Sequence, residues 1–273
     1  MTENSGNRDG WRQVCLARRT DRIRSQDLIR TLFNEFTELK GDRGSGEDPA
    51  ILAGLAFFEG LPVTVIAQSK GSTLEENRKK HFGMPLPQGY RKAIRLVRQA
   101  EKFHRPVITI VDTPGAYPGR EAEMNGQAQA ISSCLSVFSA LKTPVICIVL
   151  SEGGSGGALA LAVADRLCML ENAVFSILSP EGFASILYKD ESLAPQAAQD
   201  MKLTSRDLQS FGLVDHVVSE PDHLTVATMN PVSDELRNYL RSQIPVLMKM
   251  SPEKLVRERR RKIAGMGVPP WLG

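Results

Sequence analysis

The residues best suited to chemistry form one cluster, Glu152-Gly153-Gly154-Ser155-Gly156-Gly157-Ala158. It lies between an apolar β-branched run and a stretch rich in small residues, so it reads as a strand-to-helix turn. The first amides of a helix have no intrahelical acceptor, and the helix dipole favours negative charge beside them. Glycines let a ligand approach that backbone closely. The chemistry on offer is an oxyanion hole in which amides of the turn face an oxygen that gains charge. The same residues fit G-x-S-x-G, the nucleophile elbow of serine hydrolases. Ser155 would then be the nucleophile and His216 or His223 the base. A tight turn packing a helix on a strand is the structural alternative. Two further loops qualify, Asp112-Thr113-Pro114-Gly115-Ala116-Tyr117-Pro118-Gly119 and Ser179-Pro180-Glu181-Gly182. No G-x-x-x-x-G-K-[ST] phosphate loop is present.

These loops need strands and helices to hold them. Residues 25–40 show helical spacing at Leu28, Leu32, Phe33, Phe36 and Leu39, and Gly41–Gly46 reads as a loop. Residues 50–58 and 62–68 read as a hairpin around Glu59-Gly60. A helix is expected over 87–103, a buried strand over 107–111 and a long helix over 121–141. Residues 144–150 form the next apolar strand, 158–164 a helix, and 173–178 a third strand of this series. A capped helix begins at Thr204, and 213–218 makes a final strand. Residues 233–263 read as helices interrupted at Pro245 and Pro252, and 1–10 as a frayed terminus. Alternating strands and helices imply an α/β fold with parallel strands and right-handed crossovers. Ligands gather at the carboxyl ends of such strands, where the candidate loops stand.

Composition excludes several classes. The 273 residues carry 34 Lys and Arg against 31 Asp and Glu, a net charge of +3, so no nucleic acid is required as a partner. There are 22 glycines and only 6% aromatics, so Ala, Val, Leu and Ile must fill the core. Cys15, Cys134, Cys147 and Cys168 form no C-x-x-C pair, which predicts no metal in this chain and a reduced Cys147 in the core. No run approaches the ~20 apolar residues of a membrane span, and no secretory signal opens the chain. A cytoplasmic protein is expected.

Four stretches together carry a family resemblance. They are Phe82-Gly-Met-Pro-Leu-Pro-Gln-Gly-Tyr-Arg-Lys-Ala93, the 112–119 loop, Gly153-Gly-Ser-Gly-Gly-Ala-Leu-Ala160, and Ser179-Pro-Glu-Gly-Phe-Ala-Ser-Ile-Leu187. Glu38–Arg43 and Gly212-Leu-Val-Asp215 add to them. Over most of residues 11–220 the chain resembles the carboxyltransferase α subunits of bacterial multi-subunit acetyl-CoA carboxylase. That resemblance implies a crotonase (ClpP-like) spiral of ββα units with helical N- and C-terminal extensions. It divides the chain into an arm, 1–45, a crotonase-like core, 46–220, and a C-terminal helical extension, 221–273.

The implied activity is a half-reaction of fatty acid biosynthesis. Carboxyl passes from carboxybiotin, held on a separate biotin carboxyl carrier protein, to acetyl-CoA, giving malonyl-CoA. The β subunit supplies the zinc ribbon and most of the acetyl-CoA side, in an α2β2 assembly, and biotin carboxylase uses the ATP. Gly156 and Gly157 would stabilise charge on the ureido oxygen, and the released biotin nitrogen would act as base. Gly153, Gly154, Ser155, Gly115, Ala116, Tyr117 and Gly182 would line the substrate site.

Lys70, Arg78, Lys79 and Lys80 are candidate contacts to CoA phosphates, Lys70 and Arg78 first among them, although all four also read as a solvated basic face. Asp112 either shapes the pocket or closes a turn, and Glu152 either orients the amides or answers the helix dipole. His81 and His104 read as structural or surface residues, and Arg257–Lys262 as a solvated helix face. The helix faces Leu28–Leu39 and Leu236–Met250 are candidate interfaces. The chain departs from the family at Arg120-Glu121-Ala122-Glu123, where small residues are usual, and in having about ten residues before Trp11. Another acyl-CoA carboxylase, a serine hydrolase at Ser155 and a non-catalytic scaffold remain as alternatives.

Overall fold

A computed structural model describes residues 10–267. Of the expected frayed start, residues 1–10, positions 1–9 lie outside the described residues and Gly10 already opens a helix. The chain opens with α1 (Gly10–Ala17) and α2 (Ser25–Leu32), followed by β1 (Asn34–Glu38), β2 (Ile51–Phe58) and β3 (Leu61–Gln68). Next come α3 (Leu74–Lys79), α4 (Pro87–Lys102), β4 (Val107–Thr113), α5 (Arg120–Met124), α6 (Gln127–Ala140), β5 (Val145–Gly154) and α7 (Ser155–Ala162). Then come β6 (Arg166–Leu170), β7 (Val174–Ser176), α8 (Pro180–Phe183), α9 (Ala194–Asp200), α10 (Ser205–Ser210) and β8 (His216–Val218). The helices α11 (Asn230–Met248) and α12 (Pro252–Gly265) complete the described chain.

The strands form one sheet in the order β1-β2-β3-β4-β5-β6-β8, with β7 on the far end of β5. The hairpin β2–β3 is antiparallel, and from β3 onward every pairing in the sheet is parallel. All seven residues of β4 are buried, as are the first seven of β5. Such strands read as continuous apolar runs because both faces are covered. Helix α4 lies against β2 and β3, α7 against β4 and β5, and α6 packs on both helices. The core is aliphatic, with Cys134 and Cys147 inside it, and burial pushes both thiols up to about 12.

Several expectations needed correction. The helix expected over 25–40 stops at Leu32, and Phe33 turns the chain into edge strand β1. There Phe33 packs edge-on against Phe58, with ring centroids 6.1 Å apart. The helix expected over 121–141 is two helices, because Gly126 takes φ +78° between them. Pro245 does not interrupt α11. Strand β6 escaped the sequence reading, and the strand expected over 173–178 narrows to β7.

The two helix faces expected as interfaces are committed internally. Leu28, Ile29 and Leu32, and likewise Leu236, Leu240, Ile244 and Leu247, belong to the same core as the sheet. The basic run 257–262 is not wholly solvated either. Arg259 is fully buried and grips the Asp165 carboxylate at 2.9 and 2.7 Å. Its remaining donors satisfy the carbonyls of Phe138, Leu141 and Thr143, where α6 ends.

Candidate functional site

The ladder between β4 and β5 is regular up to Val111↔Val149 and resumes only at Thr113↔Gly153. Two extra residues of β5 are therefore accommodated opposite Asp112, a bulge that bends the strand and redirects the chain beyond it. On its other edge β5 leaves β6 after Val149, and Glu152, Gly153 and Gly154 pair with β7. The glycine turn leaves from there, and Ser155 opens α7 with φ +52°.

The turn and the 112–119 loop touch. A β-carbon on Gly157 would collide with the Ala116 amide and the Gly115 carbonyl carbon. The Gly157 carbonyl accepts from Gln68 Nε2 at 2.7 Å and from the Tyr90 hydroxyl at 3.2 Å. Gly156 is open by comparison, since a β-carbon there would meet only Ile131, at 3.6 Å. Thr113 shapes the neighbouring turn by accepting from the Gly115 amide at 3.1 Å and donating to the Gly115 carbonyl at 2.7 Å.

Charges brace the base of the turn. Lys70, just past the end of β3, places Nζ 2.8 Å from Asp112 Oδ1 and 2.7 Å from Glu152 Oε2. Arg18 Nε lies 2.9 Å from Glu152 Oε1, and Arg18 Nη1 lies 2.5 Å from Glu181. Burial would lower the Lys70 pKa, but Asp112 and Glu152 outweigh it and hold it above the ordinary lysine value. Burial would raise Glu152, but Lys70 and Arg18 outweigh it and hold its carboxyl below the usual range. Lys70 and Glu152 are therefore both charged near neutral pH.

The predicted site residues fall into three groups. Gly153, Gly154, Ser155, Gly156, Gly157, Gly115 and Ala116 come together. Gly153, Gly154 and Ser155 line a small cleft of about 60 Å³ with Arg18, Pro114, Glu152 and Ser179. Tyr117 stands beside them and packs against His81, with ring centroids 4.7 Å apart and the rings tilted by 51°. Gly182 joins less directly, because its amide donates to the Ser179 hydroxyl as a helix cap. Lys70 corrects an expectation. Its side chain is only 11% exposed and its ammonium is spent on two carboxylates, so it does not face solvent as a CoA contact would. Arg78 is exposed.

The sequence reading missed Arg18, Gln68 and Tyr90. It also missed the left-handed run His81, Phe82 and Gly83, with φ of +48°, +56° and +80°, which holds His81 against Tyr117. Strain of this sort gathers at functional sites. Lys70, Asp112 and Glu152 each stand at the end of an apolar run in the sequence, which places each at a strand end but does not pair them.

Of the two bases considered for a hydrolase, His216 stands far from Ser155. His216 pairs across β6 through Cys168 to Ile148, two strands over and seven residues before Ser155. At ~4.8 Å per strand and ~3.3 Å per residue, that is roughly 25 Å away. His216 Nε2 instead lies 2.9 Å from Glu235, and its ring stacks on Tyr239. A larger cleft of about 610 Å³ lies between α2, β1 and β2; Lys80 lines it, and the glycine turn does not.

Comparison with known proteins gives a consistent result. The family described as acetyl co-enzyme A carboxylase carboxyltransferase-like matches residues 2–267. The chain is 49% identical over 265 residues to the acetyl-coenzyme A carboxylase carboxyl transferase subunit alpha of Clostridium acetobutylicum, covering 97% of both chains. It is 48% identical over 259 residues to a Clostridium tetani protein named as subunits beta/alpha, covering 95% of this chain and 45% of that longer one. Among solved structures, a chain of a Pseudomonas malonate decarboxylase hetero-tetramer in complex with coenzyme A superposes with a TM-score of 0.69 at 17% identity, over 87% of this chain and 94% of that one. At that identity the likeness speaks for the fold, and the crotonase-type α/β architecture expected from the sequence is the one observed. The chain belongs to the acetyl-CoA carboxylase carboxyltransferase-like family, among relatives named as the alpha subunit.

Proposed function

We propose that the amides of Gly156 and Gly157 form the oxyanion hole for carboxyl transfer to acetyl-CoA, in a site completed by a β subunit. Carboxybiotin, on its carrier protein, supplies the carboxyl group, and the product is malonyl-CoA. The observation that carries this reading is the glycine-lined start of α7 at the carboxyl end of β5, with Gly156 unobstructed. Loss of one such donor costs about 2.7–4 kcal/mol of transition-state stabilisation. The reading needs no side-chain nucleophile, in keeping with the distance between Ser155 and His216.

Small size supports a shared site. A drug-sized ligand fills ~300–1,000 Å³, whereas the cleft at the turn holds about 60 Å³. This chain supplies one wall, and the β subunit supplies the other, with the zinc ribbon and most of the acetyl-CoA contacts, in an α2β2 assembly. Biotin carboxylase spends the ATP. Arg78 remains the candidate for CoA phosphates. The fused beta/alpha relative fits a partner whose place is beside this chain. The division into residues 1–45, 46–220 and 221–273 belongs to the same reading. No helix among the described residues is long and apolar enough to cross a membrane, in line with the cytoplasmic setting proposed here.

The test is reconstitution with a β subunit, carboxybiotin, and acetyl-CoA or propionyl-CoA. Malonyl-CoA should form with acetyl-CoA preferred, and the isolated chain should be nearly inactive. Full activity without the β subunit would end the shared-site reading. Preference for propionyl-CoA would reassign the substrate, and fluorophosphonate labelling of Ser155 would favour a hydrolase.

A further inference from the structure

We propose that Lys70 is a positioning residue for this transfer, clamping the ends of β3, β4 and β5 so that the glycine turn leaves β5 in a single direction. This role rests on the glycine turn being the oxyanion hole.

Between Val111↔Val149 and Thr113↔Gly153 the backbones of β4 and β5 do not pair. Side chains take over there. Arg22 donates to the Leu150 carbonyl and to the Ser151 hydroxyl, both at 2.8 Å. The Glu152 amide reaches Asp112 Oδ1 only at 3.5 Å, a weak tie. The firm link across the gap is ionic, with Lys70 Nζ between Asp112 and Glu152. Arg18 spends its guanidinium on Glu152 and Glu181, so it braces the Glu152 side of the gap. Without the Lys70 ammonium, only the 3.5 Å contact between the Glu152 amide and Asp112 ties the two strands across the unpaired stretch.

The consequence falls on Gly157, five residues downstream of Glu152. A misplacement of ~1 Å at a reacting centre can cost about 100-fold in rate. Lys70 itself is buried with its ammonium between two carboxylates, so substrate affinity should survive its loss.

The experiment uses the complex with the β subunit. The Lys70→Met complex should lose kcat by about tenfold or more while KM for acetyl-CoA changes by less than about threefold. A second complex, Arg259→Met, controls for stability, because Arg259 anchors α12 away from the turn. It should melt at least as early as Lys70→Met and yet keep kcat within about threefold of wild type. A smaller loss in kcat, a loss carried by KM, or an equal loss in the Arg259→Met control overturns the proposal. If Lys70→Met does not assemble, Glu152→Gln, which keeps the side-chain volume, is judged by the same thresholds. A wild-type complex that transfers no carboxyl group overturns the functional reading, and this proposal with it. A wild-type complex that transfers normally, with variants that match it, overturns this proposal alone.

Discussion

The Ala116 amide occupies the space that a side chain on Gly157 would need. The 112–119 loop therefore seats directly on the start of α7, and the two loops hold one another in place.

Adjacent glycines should respond unequally to substitution. Gly157→Ala must push the 115–116 backbone aside, so it should reduce transfer by about 100-fold or more, the scale of one lost oxyanion donor. Gly156→Ala has room, with Ile131 at 3.6 Å as its nearest neighbour. It should fold as well as wild type and lose activity only by crowding the ligand. Thermal melts and initial transfer rates on both complexes check this. A Gly157→Ala or Gly157→Pro protein that assembles and transfers at full rate would remove these amides from the mechanism.

Arg259 makes a second prediction. It is fully buried, pairs with Asp165 and answers three carbonyls at the end of α6. Removing one partner of such a pair strands a buried charge, at a cost of about 3–5 kcal/mol. Arg259→Met should lower the urea midpoint correspondingly with an unchanged m-value. An unchanged midpoint would contradict that burial.

The third prediction concerns acid. Asp42 Oδ1 accepts from the amides of Gly44, Ser45 and Gly46 at 2.8–2.9 Å, and Arg91 Nε lies 2.9 Å from Oδ2. Burial would raise this carboxyl, but the Gly46 and Gly44 amides, Arg91 and Ser45 outweigh it and hold it well below the usual range. A carboxyl depressed in the folded state stabilises the protein above its unfolded pKa of ~3.9, and that contribution is lost as pH falls through the folded value. Asp42→Asn should therefore melt earlier than wild type near neutral pH. The difference should hold down to about pH 5 and shrink below about pH 4. Melting curves across that range measure it, and an equal difference at every pH would refute the assignment.

The sequence was informative where one signal dominated. The apolar runs at Val107–Val111 and Val145–Leu150 could only be buried strands, and the glycines after Glu152 could only be a turn. It misled where two periods overlapped. Phe33, Phe36 and Leu39 continue the spacing of a helix, yet Phe36 and Leu39 serve an edge strand and its exit. Strand β6, Arg-Leu-Cys-Met-Leu, is too short and has too few β-branched residues to stand out. The pairing of Lys70, Asp112 and Glu152 was invisible for another reason. Their partnership comes from three strands lying side by side, and nothing in their separations along the chain, 42 and 40 residues, announces it.

Strand β5 changes neighbours along its length, pairing with β4 and β6 before the bulge, and after it with β4 only at Thr113↔Gly153 and with the three-residue β7. Amide exchange should divide at the same point. The amides of the first segment are enclosed by full ladders on both sides and should exchange only when the whole domain unfolds. Those around Gly153 and Gly154 depend on a short strand and a charge cluster, and should open locally and far more often. A single strand thus joins the most durable part of the molecule to the part that must yield to a substrate.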